Sequence, residues 1–158
     1  MRIEKSNTLA ILFWANFLAF GAHVLDETFM AGGFVAFIQR HFWSGFQLND
    51  FFTANAIWLV LIAISNLLYN LLGNRVAAVP MAFVWERLFN GLFHFGSAAY
   101  FKEYSPGLLT SAFFFAIIYL MIRYSVQKGQ MRMSAFFGSA VPALVFETVF
   151  VSSMWWAH

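Results

Sequence analysis

Five long apolar stretches follow one another along this chain of 158 residues, and they constrain its fold more than any other feature. The hydrocarbon core of a membrane takes about 20 helical residues to cross, so each stretch can span it once as an α-helix. The predicted spans are, in chain order, residues 9–27, 51–72, 76–100, 107–125 and 134–156. With 61% hydrophobic and 10% charged residues, the chain has more apolar surface than a water-soluble domain can bury. We therefore predict an all-α integral membrane protein, a bundle of about five transmembrane helices that forms one domain over residues 1–158.

The segment 28–50 joins the first two spans and is harder to place. It stays apolar beyond the first span, but one helix through both would be much longer than a membrane is thick. Gly32 and Gly33 offer a natural break between them. We predict an interfacial or re-entrant segment anchored by Arg40 and Trp43, with a short sixth crossing as the alternative.

The basic residues predict how the bundle is oriented. With five crossings, one side of the membrane carries Arg40 and Lys102, and Arg87 lies inside the third span. The other side carries the remaining basic residues, which are Arg2, Lys5, Arg75, Arg123, Lys128 and Arg132. Because Lys and Arg are enriched in cytoplasmic loops, we predict a multi-pass protein of the cell (inner) membrane, with its N-terminus cytoplasmic and its C-terminus outside. The net charge of +2 is small and scattered, so no nucleic-acid partner is expected.

Ionisable side chains occur inside these apolar segments, where each charged group costs at least about 2.5–3.5 kcal/mol. Four of the seven acidic residues lie within or at the edge of a predicted span, namely Asp26, Glu27, Glu86 and Glu147. In the first span, two of these acids follow His23 at i+3 and i+4, so the three side chains share one helix face. In the third span, Glu86, Asn90 and His94 follow one another at intervals of four residues and form a polar stripe.

The polar groups of three helices predict a single site. At about 1.5 Å per residue, they lie at similar heights in the outer half of the bilayer. Imidazoles and carboxylates are ligands for zinc, iron or manganese, and helix bundles hold one or two such ions. The predicted ligands of this divalent metal site are His23, Glu27, His94 and Glu147. Glu86 and Asp26 are predicted as additional ligands or as a general base, and Arg87 as the counter-charge of a neighbouring acid.

Three classes of function are compatible with such a site. The leading prediction is a metal-dependent membrane enzyme that acts on a membrane lipid or another hydrophobic small molecule, by hydrolysis or by metal-based oxidation. The second is a proton- or ion-coupled carrier, which would need a homo-oligomer because five helices are few for a carrier. The third is a non-catalytic binding or assembly subunit that uses the polar cluster to hold helices together.

Three short motifs, in this order, connect the sequence with a known family. They are His23-Val24-Leu25-Asp26-Glu27, Asn90-Gly91-Leu92-Phe93-His94 and Tyr104-Ser105-Pro106-Gly107. In order and spacing they resemble the HXXEE-motif family of small, mostly bacterial integral membrane proteins, whose function is not established. The resemblance implies a membrane metalloprotein or enzyme. Glu27 matches the final Glu of the motif, whereas Asp26 replaces the preceding Glu and keeps a carboxylate on a shorter arm.

The third of these motifs also has a direct physical interpretation. It lies immediately before the fourth span, at the outer mouth of the predicted site. Pro106 restricts the turn, Gly107 lets the backbone approach its neighbours closely, and Tyr104 is placed to cap the polar cluster or to donate a proton. Asn90 and Tyr104 are predicted to orient ligand or substrate. An ordinary turn with an interfacial tyrosine is the alternative.

Overall fold

The computed structural model describes residues 8–156, with side chains described through residue 153, and all regular secondary structure in this part of the chain is helical. Its helices are α1 (Thr8–Phe29), α2 (Phe34–His41), α3 (Leu48–Leu72), α4 (Ala78–Phe101), α5 (Leu108–Met121), α6 (Met133–Gly138) and α7 (Ala140–Trp156). A 3₁₀ turn, Gly73–Arg75, follows α3, and a π turn, Ile122–Val126, follows α5. Arg2 and Lys5, which contribute to the predicted orientation, lie outside the described residues.

Four helical segments among the described residues are long and apolar enough to cross a membrane. They are Thr8–Phe29, Leu48–Arg75, Leu108–Val126 and Met133–Ser153. The helix α4 has 24 residues, a length of about 36 Å, and carries the ionisable residues predicted for the third span. It lies inside the bundle, in contact with α1, α3, α5 and α7. The predicted all-α membrane bundle of about five helices is therefore confirmed.

Apolar side chains cover the outside of the bundle as well as its core. The core includes Phe20, Met81 and Phe114, all of them fully buried. By contrast, α3 and α7 leave large apolar side chains exposed over much of their surface, and Leu71 is 80% accessible. Water would disfavour such a surface, whereas the hydrocarbon chains of a lipid bilayer match it.

The segment between α1 and α3 folds back over one end of the bundle. After Phe29 the chain turns through Gly32 and Gly33, whose φ angles of 85° and 89° favour glycine. The helix α2 that follows has eight residues, about 12 Å, which is too short to cross a membrane. Its buried face joins a second, mostly aromatic core formed by Phe34, Phe37, Ile38, Phe42, Phe46 and Phe51.

Charged groups connect α2 to the loop between α4 and α5. Arg40 Nη2 and His41 Nε2 lie 3.1 Å and 2.7 Å from Glu103 Oε1. The hydrogen bonds from His41 and Arg40 lower the pKa of the Glu103 carboxyl below its usual value. His41 also stacks on Phe101, with 4.0 Å between the ring centres. These contacts link α2 to the segment that carries the Tyr104-Ser105-Pro106-Gly107 motif.

The last predicted span, residues 134–156, consists of two helices. The helix α6 ends at Gly138, and α7 begins at Ala140. Pro142 has no backbone N–H, so the carbonyl of Gly138 loses its partner four residues later and the helix breaks. The proline lies in the first turn of α7, where a missing donor costs little.

Candidate metal centre

Two histidines and one glutamate meet inside the bundle. His23 and Glu27 lie on one face of α1 because four residues separate them, and His94 comes from α4. All three side chains are buried. Glu27 Oε1 lies 3.5 Å from His23 Nε2 and 3.3 Å from His94 Nε2, and the ligand atoms of the three residues lie within 4.8 Å of one another. The three side chains therefore converge on one point.

Hydrogen bonds on the far side of each imidazole orient the two rings. His94 Nδ1 lies 3.0 Å from Ser105 Oγ, and His23 Nδ1 lies 2.9 Å from Thr110 Oγ1. The Thr110 hydroxyl has two acceptors for its one hydrogen, Asp26 Oδ2 at 2.9 Å and the Gly107 carbonyl oxygen at 3.2 Å, so it accepts from His23 Nδ1–H. We therefore assign the proton of His23 to Nδ1, which leaves the Nε2 lone pair directed toward Glu27.

Neither histidine Nε2 has a hydrogen-bond partner among the described residues. At His23, whose Nε2 carries the lone pair, a carboxylate oxygen opposite it is unfavourable unless a cation, either a metal ion or a proton, lies between them. Bonds of about 2.0–2.1 Å from zinc, at tetrahedral angles, separate neighbouring ligand atoms by about 3.3–3.4 Å. The observed separations are 3.3 Å and 3.5 Å. The ligand atoms of the two histidines lie within 4.8 Å of each other. Two imidazoles and one carboxylate at these separations suit one ion with three protein ligands and an open fourth position.

Asp26 turns away from this point toward the start of α5. Its carboxylate accepts hydrogen bonds from the Tyr104 hydroxyl at 2.9 Å, from the Thr110 backbone N–H at 3.0 Å and from Thr110 Oγ1. Asp26 thus orients His23 through Thr110, as carboxylates behind the histidine ligands of metal sites do. Burial and the hydrogen bond to Asp26 raise the pKa of Tyr104, so its phenol stays a hydrogen-bond donor at neutral pH.

Gly107 packs directly against all three converging side chains. Its φ of 98° lies in the left-handed region, and a Cβ atom there would lie 2.7 Å from His23 Cε1, 2.8 Å from His94 Cε1 and 3.0 Å from Glu27 Cγ. No other residue fits this position without displacing them. The backbone that follows Pro106 therefore forms one wall of the centre.

All three sequence motifs contribute side chains or backbone to this centre. The sequence model of a family described as a protein of unknown function with HXXEE motif matches residues 14–122, more than half of the chain. The chain belongs to this HXXEE family. No curated protein and no solved structure matches the chain significantly.

The geometry distinguishes the two acidic positions of the HXXEE motif in this member of the family. The final acid, Glu27, faces both histidine Nε2 atoms, whereas the preceding acid, Asp26, supports His23 from behind. Consecutive residues diverge by about 100° around a helix, so neighbouring carboxylates reach different partners. The predicted ligands His23, Glu27 and His94 are brought together, and Asp26 is not one of this group.

Replacing Thr110 with Val is expected to weaken metal binding about 10–100-fold, because it keeps the side-chain shape but removes the hydroxyl between His23 and Asp26. Thr110→Ser keeps the hydroxyl and should bind metal like the wild type. Competition with a chromophoric zinc chelator, on purified protein, measures both affinities. Equal affinities in the two variants would show that His23 does not depend on this hydrogen bond.

Glu86 and Arg87 form a buried ion pair on α4. Arg87 donates from Nε and Nη2 to the two carboxylate oxygens of Glu86. Its guanidinium also lies 4.1 Å from the centre of the Phe20 ring, where the aromatic face attracts a cation. The structure therefore commits Glu86 to Arg87, and this carboxylate does not join the three converging ligands.

A cavity of about 110 Å³ between α3, α4 and α7 extends to Glu27. Its polar lining consists of Glu27, Asn55, Glu86, Arg87, Asn90 and Glu147, and aromatic side chains form most of the remainder. Asn90 and the predicted ligand Glu147 thus lie on the cavity wall, outside the group of three. The cavity therefore reaches one side chain of the candidate metal centre.

Two residues of the centre, Ser105 and Thr110, had no individual role in the sequence analysis. Both are buried and hold the histidine rings. Hydroxyl side chains are common in membrane helices, where they bond to carbonyls of the same helix, so composition alone does not mark them. The signal available for Thr110 was its position one turn after Gly107, in the otherwise apolar start of α5.

Proposed function

We propose that this member of the HXXEE family is a metal-dependent enzyme of the cell (inner) membrane that hydrolyses a lipid or another hydrophobic small molecule. The observation that carries the proposal is the pair of histidine Nε2 atoms without hydrogen-bond partners, both of which face Glu27 Oε1. Buried polar atoms without partners are rare in proteins, and one metal ion would satisfy all of these atoms.

One zinc ion is the proposed cofactor. Glu86 is paired with Arg87, and Asp26 is bonded to Thr110 and Tyr104, so neither carboxylate is free to bridge to a second ion. Iron and manganese accept the same donors, but three protein ligands with an open position are typical of catalytic zinc. Zinc has no redox chemistry, which favours hydrolysis over oxidation.

His23, Glu27 and His94 would hold the zinc ion, which would make water nucleophilic at neutral pH because zinc lowers the pKa of bound water to about 7. In the proposed reaction, water adds to an ester or amide carbonyl, and the proton that it loses is transferred to the leaving oxygen or nitrogen, whose bond to the carbonyl carbon breaks. Asn90 borders the same cavity as Glu27 and is placed to orient the polar part of the substrate.

The proposed orientation places the N-terminus in the cytoplasm, the C-terminus outside and the metal centre in the outer half of the membrane. Its support is the order of the helices. Arg75 follows α3, and Arg123, Lys128 and Arg132 follow α5, so these residues lie at the end of the bundle opposite α2. Basic residues are typical of the cytoplasmic end.

Elemental analysis of protein purified without chelators tests the metal centre. We expect about one zinc per chain in the wild type and less than about 0.1 in His94→Ala, which loses one of three ligands. His41→Ala is the matched control and should keep its zinc, because His41 bonds to Glu103 outside the centre. A wild-type protein without metal, or equal zinc in His94→Ala, would exclude the proposed centre.

The same variants test the reaction. Protein in detergent micelles is incubated with a total membrane-lipid extract, and mass spectrometry follows the appearance of hydrolysis products. We expect products with the wild type and His41→Ala, and at least about 100-fold less with His94→Ala, since a missing ligand removes the activated water. If the protein binds zinc but forms no hydrolysis product, it is a metal-binding protein and the proposed enzymatic activity is wrong.

A further inference from the structure

The cavity beside the metal centre contains two buried oxygen atoms without partners. Glu147 is 6% exposed and Asn90 is 8% exposed. Glu147 Oε1 and Asn90 Oδ1 accept no hydrogen bond from the described residues, although both side chains line the cavity and interact with each other. Because both free atoms are acceptors, the cavity suits a ligand that donates hydrogen bonds.

One carboxylate of the cavity also lacks a bonded counter-charge. Three carboxylates and one guanidinium line it, namely Glu27, Glu86, Glu147 and Arg87. Arg87 directs its hydrogen bonds to Glu86, and Glu27 belongs to the metal centre. This leaves Glu147 without a bonded counter-charge, in a bundle that lipid surrounds. A cationic ligand would supply it.

Aromatic rings form the remaining wall. Trp58 on α3 and Phe146 on α7 meet edge to face across the cavity wall, with 4.8 Å between their ring centres. Phe51 and Phe150 line the same space. Aromatic faces attract organic cations, most strongly where water is excluded. Beyond these rings, the outer surfaces of α3 and α7 are apolar and exposed, as a path for a hydrocarbon chain requires.

We propose that this cavity binds the primary ammonium group of an amphiphile. Resting on the proposed function, this makes long-chain esters or amides that carry a primary ammonium group the substrate class of the enzyme. A primary ammonium carries one positive charge and three N–H donors, enough for both Glu147 and Asn90. A hydroxyl brings no charge, and a quaternary ammonium brings no N–H donor. A volume of about 110 Å³ holds a head group of a few heavy atoms, since one water needs about 10–15 Å³.

Native mass spectrometry of the zinc-loaded protein tests this inference, because one spectrum reports bound amphiphile and bound metal. The probes are dodecylamine, dodecyltrimethylammonium and dodecanol at equal concentrations. We expect one dodecylamine per chain, bound at least about ten-fold more tightly than either of the other two. A lysophospholipid with an ethanolamine head group, compared with its choline counterpart, distinguishes a lipid head group from a free amine as the source of the ammonium.

Two carboxylate variants complete the test. Glu147→Gln should weaken dodecylamine binding at least about ten-fold and leave zinc unchanged, because the side chain keeps its shape and loses its charge. Glu103→Gln is the matched control, since Glu103 is exposed and outside the cavity, and should bind dodecylamine like the wild type.

The outcomes separate this inference from the proposed function on which it rests. Equal binding of dodecanol and dodecylamine would mean that Glu147 carries a proton and the ligand is neutral, which overturns the inference. Equal binding of dodecyltrimethylammonium, which has no N–H donor, would show that hydrogen bonds to Glu147 and Asn90 do not determine binding. This result would also overturn the inference. Unchanged binding in Glu147→Gln would place the amine elsewhere. Loss of zinc with intact amine binding would instead contradict only the proposed metal enzyme.

Discussion

Gly107→Ala is expected to abolish metal binding and to destabilise the protein by about 2–5 kcal/mol. The added methyl group meets His23 and His94 at less than 3 Å and Glu27 at 3.0 Å, so at least one of these side chains must move. The remainder of the cost is backbone strain, because alanine disfavours a φ of 98°. Elemental analysis and thermal unfolding in the same detergent measure the two effects.

Gly129→Ala separates the contact from the strain. Gly129 also has a positive φ, 71°, but nothing lies within 4 Å of a Cβ atom built there. This variant should lose only about 1–2 kcal/mol and keep its metal. If Gly107→Ala retained a full complement of zinc, the close packing of the third motif on the two histidines would not be required for the centre.

Arg87→Met is expected to destabilise the protein by about 3–5 kcal/mol, because it leaves the Glu86 carboxylate buried without its partner. The methionine fills much of the same volume, so the lost charge accounts for most of the change. The free energy of unfolding, measured by denaturant titration in mixed micelles, gives the magnitude.

A double variant tests whether the pair acts as a unit. Glu86→Gln together with Arg87→Met removes both charges and should recover most of the loss, since a buried ion pair contributes little net stability over neutral groups. Arg40→Met is the comparison at an exposed pair, because Arg40 bonds Glu103 in contact with solvent, and should change stability little. Equal losses in Arg87→Met and the double variant would show that Arg87 acts through packing and not through charge.

The membrane fold and one face of the centre could be predicted from the sequence because both depend on local properties. The length and hydropathy of a span are properties of consecutive residues. The common face of His23 and Glu27 follows from the helical repeat alone. The depth of His94 in its span then placed it near the other two, and the structure brings all three within 4.8 Å.

The partners of the remaining polar residues depend on how the helices are rotated and tilted against one another. Asp26 and Glu27 are adjacent on α1, and their side chains point about 100° apart. Glu27 therefore faces the two histidines, whereas Asp26 bonds to Thr110 at the start of α5. The orientation of α7 relative to its neighbouring helices likewise places Glu147 on the cavity wall. Hydropathy and spacing do not encode these rotations, which arise from the packing of side chains on different helices. The sequence alone therefore indicates which polar residues lie inside the membrane, and the tertiary packing decides which of them meet.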